Sequence, residues 1–499
     1  MDLKVKKSTA EINEKIRDGS VSVVTADEMT ELVRELGAER AAREVDVVTT
    51  GTFGAMCSSG VFLNFGHADP PIKMQRVWLN DVEAYTGIAA VDAYLGATRL
   101  SERNPEYGGA HVIEELISGK GVEVRAIAHG TDCYPRRSIE TEITLADLNQ
   151  AVMVNPRNAY QRYSAATNST DRTLYTYMGT LLPNYGNATF CGAGELSPLC
   201  NDPDYEVLGV GTRILVGGAK GYIIGEGTQH EPLKKKGTLM VLGNLKKMRK
   251  EFLRAAVFYK YGVTLYVGIS VPIPVLNEEI AKRTGVSDAE IVTEVVDYGV
   301  PRRDRPVVRM ATYEELKSGK LEIEGKEVPA SPLSSFHMAK KVAEELKRQI
   351  ERGEFLLTEP VARLPTVGEV KPMKQTRELP LVKDVMSRMF KVVREDASLE
   401  DVAKAIVRGK FTHIPVVDVE SKLVGIVTAW DLSLAVAFRY ESLDKIMTRR
   451  VVTAKPDEPV DVVVRKFEQF DISAMPVVDD EGHVLGMVTS DQISKLVGR

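Results

Sequence analysis

The 499-residue sequence has few cysteines, few tryptophans and no excess of basic residues. Its four cysteines cannot form a disulfide framework for a chain of this length. A net charge of −5 and a pI of about 6.0 provide no basic surface for nucleic acid, so we expect no nucleic-acid partner.

Long apolar segments are also missing. No uninterrupted apolar run reaches the roughly 20 residues that a membrane-spanning helix needs. The N-terminal stretch "MDLKVKKSTAEINEKIRDGS" is charged throughout and lacks the apolar segment of a secretory signal. We therefore expect a cytoplasmic protein with reduced thiols and no membrane association.

The clearest positive feature is an internal repeat near the C-terminus. One copy contains "SLEDVAKAIVRGKFTHIPVVDVESKLVGIVTAWDL" and the other "PVDVVVRKFEQFDISAMPVVDDEGHVLGMVTSDQI". Met386 corresponds to Met447 and Thr428 to Thr489, 61 residues later in each case. The apolar spacing predicts a strand, a helix, two strands and a closing helix in each copy. Such a βαββα unit, used twice, buries its apolar face against its counterpart.

The stretch before the repeat, "LLTEPVARLPTVGEVKPMKQTRELP", has the proline-containing composition of a linker. We therefore predict a separate body over residues 1–360, a linker over 361–380, and two repeat domains over 381–439 and 440–499. The body alternates helix-like and strand-like patterns, which predicts a mixed α/β domain.

Local patterns predict individual elements of the body. Thr25 and Glu28 form a capping box in "TADEMTELVRELG", and Gly37 is suited to end that helix. Strand pairs are predicted in "VGVGTRILVGGAKGYIIGEGTQH", and a helix in "LKKMRKEFLRAAVFY". Gly225–His230 begins like a dinucleotide-binding fingerprint, but His230 replaces the third glycine, so we exclude a Rossmann site.

Cys133 lies in "AHGTDCYPRR", in a loop that follows the predicted strand Val122–Ala128. Loops after strands commonly carry functional residues. His129, Arg136 and Arg137 would stabilise a thiolate if their charges lie near the sulfur. We interpret Cys133 as a candidate reactive thiol, and the alternative is an inert packed cysteine.

Cys57 lies in "TTGTFGAMCSSG", where the flanking glycines allow unusual backbone conformations. Such a loop can bring backbone amides close to an oxyanion. These residues alone do not separate a site thiol from a core thiol. Cys191 and Cys200 in "FCGAGELSPLCND" do not have the spacing of a zinc or iron–sulfur site, so we predict no metal site.

The two C-terminal copies resemble a tandem pair of CBS domains, as the paired motifs "IPVVD" and "MPVVD" and the strands "VGIVT" and "LGMVT" indicate. The resemblance implies an adenosyl ligand in the cleft between the copies. Its ribose would be held by the hydroxyl and carboxylate of a T-x-x-D motif, which Thr428 and Asp431 fit. In the second copy Thr489 is followed by Asp491, one position early. The alternative is a CBS pair that serves only dimerisation.

Three longer segments, "VVTTGTFGAMCSSGVFLNFGH", "EYGGAHVIEELISGKGVEVRAIAHGTDCYPR" and "ATFCGAGELSPLCNDP", together with the CBS pair, resemble the homocysteine biosynthesis (sulfur-incorporation) family. The resemblance covers the whole chain. It implies conversion of L-aspartate semialdehyde to L-homocysteine, with Cys133 bearing a persulfide and Cys57 as the second thiol. It makes S-adenosylmethionine, AMP or ATP the expected CBS ligand, with no tightly bound cofactor.

This chemistry sets further requirements. An aldehyde and sulfide give a thioaldehyde, whose reduction to a thiol needs two electrons, and the sequence shows no nicotinamide motif. We expect a sulfide donor and, as the resemblance implies, a ferredoxin-type electron-donor protein. The substrate carboxylate needs a cation, for which Arg136 and Arg137, or Arg99 and Arg103, are candidates. We expect a homodimer, because CBS pairs commonly associate face to face.

Two other functions compete with this interpretation. A CBS-containing nucleotide oxidoreductase of the IMP dehydrogenase type also uses a loop cysteine among glycines, but eight βα units are not evident in this sequence. A non-catalytic adenosyl-ligand sensor would use the body only as a scaffold, and its cysteines would react slowly with alkylating reagents.

Overall fold

A computed structural model of the protein describes residues 5–88, 91–301, 305–371, 373 and 380–497. The chain forms two compact units, Met1–Lys371 and Pro372–Arg499. The first unit mixes helices with sheets, and the second contains the repeated βαββα units. The predicted mixed α/β class and the C-terminal repeat are confirmed.

The helices are short in both units. Those of the first unit are α1 Thr9–Asp18, α2 Ala26–Leu36, α3 Ala38–Glu44, α4 Gly109–Ile117, α5 Pro198–Asn201, α6 Glu278–Thr284, α7 Tyr313–Lys317 and α8 Phe336–Glu351. Those of the second unit are α9 Val382–Val385, α10 Leu399–Gly409, α11 Ala429–Phe438, α12 Val460–Phe470 and α13 Ser490–Val497. Within the described ranges, no helix combines the length and apolarity needed to cross a bilayer.

Strands make up most of the first unit. Its N-terminal strands are β1 Val23–Thr25, β2 Val47–Thr49, β3 Thr52–Ala55, β4 Gly60–Asn64, β5 Arg76–Leu79, β6 Val82–Ala84, β7 Ala93–Gly96, β8 Val122–Ile127, β9 Ser138–Ile143, β10 Gln150–Asn158, β11 Ala165–Thr167, β12 Leu174–Thr176, β13 Gly179–Leu181 and β14 Ala188–Phe190. The strands that follow are β15 Gly209–Val210, β16 Arg213–Val216, β17 Ala219–Glu226, β18 Leu239–Asn244, β19 Leu253–Phe258, β20 Gly262–Ser270, β21 Pro272–Pro274, β22 Val292–Asp297, β23 Val307–Thr312, β24 Lys320–Ile323, β25 Lys326–Pro332 and β26 Ala362–Arg363. The second unit has β27 Val393–Arg394, β28 His413–Val417, β29 Leu423–Thr428, β30 Ala474–Val478 and β31 Val484–Thr489.

The largest sheet of the first unit has nine strands and is antiparallel. Its order is β19-β20-β16-β17-β18-β10-β4-β7, and β3 also pairs with β20. A six-stranded sheet has the order β23-β22-β11-β14-β25-β24, and a four-stranded sheet the order β6-β5-β8-β9. The smaller sheets are β1-β2-β21, β12-β13 and β15-β26.

The capping box predicted before α2 is present. The amide of Thr25 donates to Glu28 Oε2 at 2.8 Å, and Gly37 follows the last helical residue. The box satisfies amide donors that the first turn of a helix leaves without an internal partner.

Helix α8 fixes the position of β3. It packs against β3 and β20, and its buried face consists of Ala339, Val342, Ala343, Leu346 and Ile350. The residue before it, Ser335, donates its amide hydrogen to Phe53 O at 2.8 Å. Gly51 comes so close to the helix that a Cβ at this position would lie 2.1 Å from Ala339 O.

The helix predicted in "LKKMRKEFLRAAVFY" is wrong. Leu245–Lys247 and Lys250–Phe252 form single 3-10 turns, and the following residues form β19. A tight turn returns the chain to β20, with Lys260 at a φ of 55° and the Tyr261 amide donating to Phe258 O. The antiparallel pairing of β19 with β20 outweighs the local helix propensity, since strand formation depends on the neighbouring strand.

The second unit shows the repeat in three dimensions. Helix α12 and strands β30 and β31 begin 61 residues after α10, β28 and β29. A parallel bridge at Ala454 stands where the first copy has β27. The segments that open the copies are exchanged, because Ser387 pairs with Met487 and Thr448 with Ile426. Each copy therefore adds backbone hydrogen bonds to the strands of the other.

The chain beyond α8 continues to pack on the first unit. Phe355, Leu357 and Leu364 are buried, and β26 pairs with β15. The predicted linker over 361–380 therefore includes a segment that is fixed to the body. Its residues 372 and 374–379 lie outside the described residues.

Replacing Gly51 with alanine should destabilise the protein, because the new Cβ would lie 2.1 Å from Ala339 O. Helix α8 would have to move, and overpacking of this kind costs about 1–3 kcal/mol of the free energy of unfolding. Urea unfolding measures the loss. Gly96→Ala is the matched control, since a Cβ there meets no atom within 4 Å. Equal stability of the two variants would contradict this explanation.

Candidate active site

A cavity of about 400 Å³ opens where β3 ends. It is lined by segments that lie far apart in sequence, namely the turn after β3, the end of β10, and the chain around β12 and β14. The chemically active side chains on its wall are Cys57, Arg157, Tyr160, Tyr163, Tyr177 and Cys191.

Cys57 lies in the turn that joins β3 to β4. The Ser59 amide donates to Met56 O at 2.9 Å and closes this turn. The Cys57 Sγ lies 3.2 Å from Thr264 Oγ1 on β20. The thiol is half-buried, so it is held by the sheet while one side lines the cavity.

The glycines around Cys57 allow close packing rather than unusual conformations. Gly51, Gly54 and Gly60 all lie outside the positive-φ region. A Cβ on Gly54 would lie 2.8 Å from Ser334 Oγ, and one on Gly60 would lie 2.1 Å from Tyr94 Oη. The expectation of conformational freedom is therefore corrected, because glycine is needed here for the space that a side chain would occupy.

A second thiol, that of Cys191, lines the same cavity. Its residue follows β14, and its carbonyl accepts a hydrogen bond from the Tyr313 hydroxyl at 2.6 Å. Burial, together with the nearby Cys57, raises the pKa of the Cys191 thiol to about 12. A thiol with this pKa stays protonated at neutral pH and is a poor nucleophile.

Arg157, near the end of β10, supplies the cation of the cavity. Its Nε donates to Tyr160 Oη at 3.1 Å and its Nη2 to Tyr163 Oη at 3.3 Å, and its Nη1 bonds to Gln229 Oε1. Burial raises the pKa of both tyrosines. The guanidinium is therefore surrounded by neutral oxygen acceptors.

Tyr177 is the cavity residue best suited to donate a proton. The Tyr298 hydroxyl donates to Tyr177 Oη at 2.8 Å, and Arg305 Nη1 donates to it at 3.4 Å. Burial alone would raise the pKa of Tyr177, but these hydrogen bonds and the charge of Arg305 outweigh it and lower the pKa. A phenol with a lowered pKa can protonate a carbonyl oxygen that is under attack.

The other predicted site residues of the body lie outside this cavity. Cys133 is exposed in the loop between β8 and β9. Arg136 Nε donates to Pro70 O at 3.0 Å, and Arg137 is exposed. None of these three residues is part of the wall around Cys57.

Cys57 and the loop that carries Cys133 lie near opposite ends of β4. Cys57 precedes Gly60, the first residue of the strand, whereas Tyr134 lines a different cavity together with Asn64, its last residue. A strand of this length spans about 14 Å from first to last residue. The structure thus does not bring the two predicted thiols together, and a direct disulfide would need a shorter separation.

The remaining arginine candidates are already paired with acids. Arg99 bonds to Glu83, and Arg103 lies 3.4 Å from Asp81. Sequence reasoning missed Arg157, which carries the only guanidinium on the wall of the Cys57 cavity among the described residues. The density of arginine and tyrosine in "NPRNAYQRY" was a local signal, but only the fold shows that it lies beside a thiol.

In the CBS pair, Thr428 and Asp431 bond to each other. The Thr428 hydroxyl donates to Asp431 Oδ2 at 2.7 Å, and the Thr428 amide donates to the same oxygen at 2.8 Å. In the second copy, the Thr489 amide donates to Gln492 Oε1 at 3.0 Å, and Asp491 is exposed. Gln492 therefore takes the place that the carboxylate has in the first copy.

These features define an α/β enzyme body with a thiol-containing cavity, joined to a CBS pair. Residues 21–357 match the family described as "Homocysteine biosynthesis enzyme, sulfur-incorporation", and residues 382–437 and 443–499 match the CBS domain. The chain belongs to this sulfur-incorporation family of homocysteine biosynthesis.

The curated relatives extend over the same length. The L-aspartate semialdehyde sulfurtransferase of Methanosarcina acetivorans is 57% identical over 497 residues and 99% of both chains. That of Methanocaldococcus jannaschii is 52% identical over 512 residues, again covering 99% of both. A crystallised CBS domain pair in complex with 5′-methylthioadenosine and S-adenosyl-L-methionine is 43% identical, covers 24% of this chain and 97% of that one, and has a TM-score of 0.24.

The four thiols should differ in reactivity toward iodoacetamide. In the native protein at pH 7.5, Cys133 should be alkylated first because it is exposed. Cys191 and Cys200 should be alkylated last, because burial raises the pKa of each to about 12 and leaves little thiolate. Mass spectrometry of peptides locates the label. Alkylation of the protein unfolded in urea gives the reference rate of each thiol without the protection of the fold. Early labelling of Cys191 in the native protein would contradict the predicted order of reactivity.

Proposed function

We propose that the protein converts L-aspartate semialdehyde to L-homocysteine, with the cavity around Cys57 as the place of reaction. The observation that carries the proposal is this cavity lined by two thiols, in a chain 57% and 52% identical over nearly its full length to two L-aspartate semialdehyde sulfurtransferases. Site residues concentrate in concave pockets that combine apolar walls with a few polar groups.

The overall reaction balances as a reductive sulfur incorporation. The aldehyde, one hydrogen sulfide, two electrons and two protons give the thiol and water. When the sulfur arrives as a cysteine persulfide, it is two electrons more oxidised, so four electrons and four protons are required. We assign these electrons to a ferredoxin-type donor protein.

The two thiols take different roles in this proposal. Cys133 carries the persulfide, because its exposure makes it reachable by an external polysulfide-type donor, which passes one zero-valent sulfur atom to the thiolate and is itself shortened by one sulfur. Attack of the Cys57 thiolate on the outer sulfur breaks the Cys133 S–S bond and forms a persulfide on Cys57 without net oxidation. Because the two residues lie at opposite ends of β4, the loop of residues 128–137 must move, or come from a second copy in a homodimer.

The chemistry then proceeds in the cavity. The outer sulfur of the Cys57 persulfide attacks the aldehyde carbon, and Tyr177 protonates the aldehyde oxygen. Two electrons cleave the S–S bond, restoring the Cys57 thiol and leaving an α-hydroxythiol. Loss of water gives a thioaldehyde, which the second electron pair reduces to homocysteine. The cytoplasm, where thiols stay reduced, suits each of these steps.

Serine substitutions test the thiol roles. Cys57→Ser and Cys133→Ser should each lower homocysteine formation by at least about 100-fold, because each removes a group that forms a covalent bond to sulfur. The assay supplies L-aspartate semialdehyde, a polysulfide as the source of persulfide sulfur, and a low-potential reductant, and it measures the product by mass spectrometry. Cys200→Ser is the matched control, since the Cys200 thiol donates to Gln161 O at 3.0 Å outside the Cys57 cavity. Full activity of Cys57→Ser would falsify the proposed site.

We also propose that the CBS pair binds an adenosyl ligand, with S-adenosylmethionine, AMP and ATP as the candidates. The match to the CBS domain in both copies supports this. Thr428 and Asp431 would hold the ribose hydroxyls of one ligand, because a carboxylate can accept from both. Thr489 and Asp491 would form the second site. Asp491 lies two residues after its threonine, whereas Asp431 lies three residues after Thr428, so the second carboxylate would accept from the ribose from one position earlier in the helix.

Asp431→Ala should weaken binding of the adenosyl ligand by about 10-fold or more, since charge-assisted hydrogen bonds to the ribose are lost. Asp491→Ala should have a smaller effect. Calorimetric titration with each of the three candidate ligands measures this. Asp401→Ala is the control, because Asp401 makes the same capping contact with Ser398 on α10. If Asp401→Ala and Asp431→Ala reduced affinity equally, a capping effect on stability would replace the ribose contact as the explanation.

A further inference from the structure

We infer that Arg157 binds the α-carboxylate of the substrate and thereby places the aldehyde carbon at Cys57. This inference rests on the proposed function and specifies how the cavity recognises an amino-acid aldehyde. Arg157 differs from the arginines suggested by the sequence because it lines the cavity that contains the thiol.

An irregularity in β10 brings Arg157 to the cavity. The register between β10 and β18 shifts between Asn155 and Asn158, so the strand bulges at Arg157. Bulges redirect side chains and are common beside active sites. The Arg157 amide donates to Asn155 Oδ1 at 2.9 Å, which fixes the bulge.

The bulge also ties Arg157 to the turn that carries Cys57. The Ser58 hydroxyl donates to Arg157 O at 3.3 Å and to Asn155 Oδ1 at 3.2 Å. The residue next to the thiol is therefore bonded to the backbone of the arginine. Aspartate semialdehyde separates its carboxylate and aldehyde carbons by only three C–C bonds, which is about 4 Å, so both ends fit within one cavity of this size.

The charge of Arg157 lacks an acidic partner within the part of the chain that the structure describes. Its hydrogen-bond acceptors are the hydroxyls of Tyr160 and Tyr163 and the amide oxygen of Gln229. A half-buried cation with only neutral acceptors has lost hydration without gaining a counter-charge, so it favours an anionic ligand. By comparison, Arg99 is paired with Glu83.

The position of Arg157 also suits a carboxylate that enters from outside the thiol cavity. Arg157, Tyr160, Tyr163 and Tyr177 line both this cavity and a second one of about 460 Å³. The guanidinium thus stands on the shared wall, where a bound carboxylate directs the rest of a short molecule toward Cys57. Guanidinium binds carboxylate through two parallel hydrogen bonds, which fixes orientation as well as affinity.

Two substrates separate this role from a structural one. L-Aspartate semialdehyde carries the carboxylate, whereas 3-aminopropanal has the same aldehyde and amine without it. Arg157→Met should lower kcat/KM for L-aspartate semialdehyde by about 10- to 100-fold, mainly through KM, because a charge-assisted pair is lost. The same variant should leave kcat/KM for 3-aminopropanal at the wild-type value. Arg157→Lys should recover part of the loss, since it restores the charge without the bidentate geometry.

Arg162→Met is the matched control, because Arg162 lines the second cavity and not that of Cys57. It should keep the wild-type KM for L-aspartate semialdehyde. An unchanged KM in Arg157→Met, or an equal loss with both substrates, would overturn the inference. Thermal melting confirms that each variant is folded.

A binding measurement separates this inference from the proposed reaction. L-Homoserine has the carboxylate and amine of the substrate but no aldehyde, so its calorimetric affinity does not depend on turnover. Weaker binding to Arg157→Met and Arg157→Lys than to wild type would support the carboxylate contact even if wild type formed no homocysteine. Equal binding to all three would reject the contact, even with homocysteine formation intact.

Discussion

The site depends on one topological constraint, the divergence of two consecutive strands. β3 pairs with β20, whereas β4 pairs with β7 and β10, although only four residues separate them. The connecting turn must cross between different parts of the sheet, and it carries Cys57 across the gap. Helix α8 holds β3 in this position and comes close enough to require glycine at position 51, while Ser334, which precedes the helix, requires glycine at position 54. This turn forms part of the cavity wall.

The electrostatics of the cavity follow from its burial. Partial removal of water disfavours thiolate and phenolate, so the pKa of Cys191 and that of Tyr160 rise. Tyr177 is an exception, because Tyr298 and Arg305 donate hydrogen bonds to it. The cavity therefore combines a cation, a proton donor and an accessible thiol within apolar walls. This combination suits the addition of sulfur to the carbonyl of a small charged molecule.

The C-terminal unit shows how a repeat can keep its fold and change its chemistry. Both copies share strand register and exchange their opening segments, so each depends on the other for backbone partners. The helix cap after the second strand is made by Asp431 in one copy and by Gln492 in the other. A carboxylate and an amide both satisfy the amide of the preceding threonine, but they differ in charge. The two halves of the pair are therefore equivalent as scaffolds and differ in the charge at this helix cap.

The sequence by itself determined the local and repeated features: the capping box at Thr25, the CBS pair and the α/β class. The capping box and the α/β class depend on spacing within single elements, which capping chemistry and periodicity record directly. The CBS pair depends on a direct match between two copies 61 residues apart. It also singled out Cys57, but not its partners on the cavity wall. Only the tertiary structure decided that β19 is a strand, that Cys133 lies apart from Cys57, and that Arg157 and Cys191 line one cavity. Strand β19 follows from its pairing with β20, which outweighs the local helix pattern. The cavity wall joins residues about a hundred or more positions apart, and no local pattern encodes which distant segments meet.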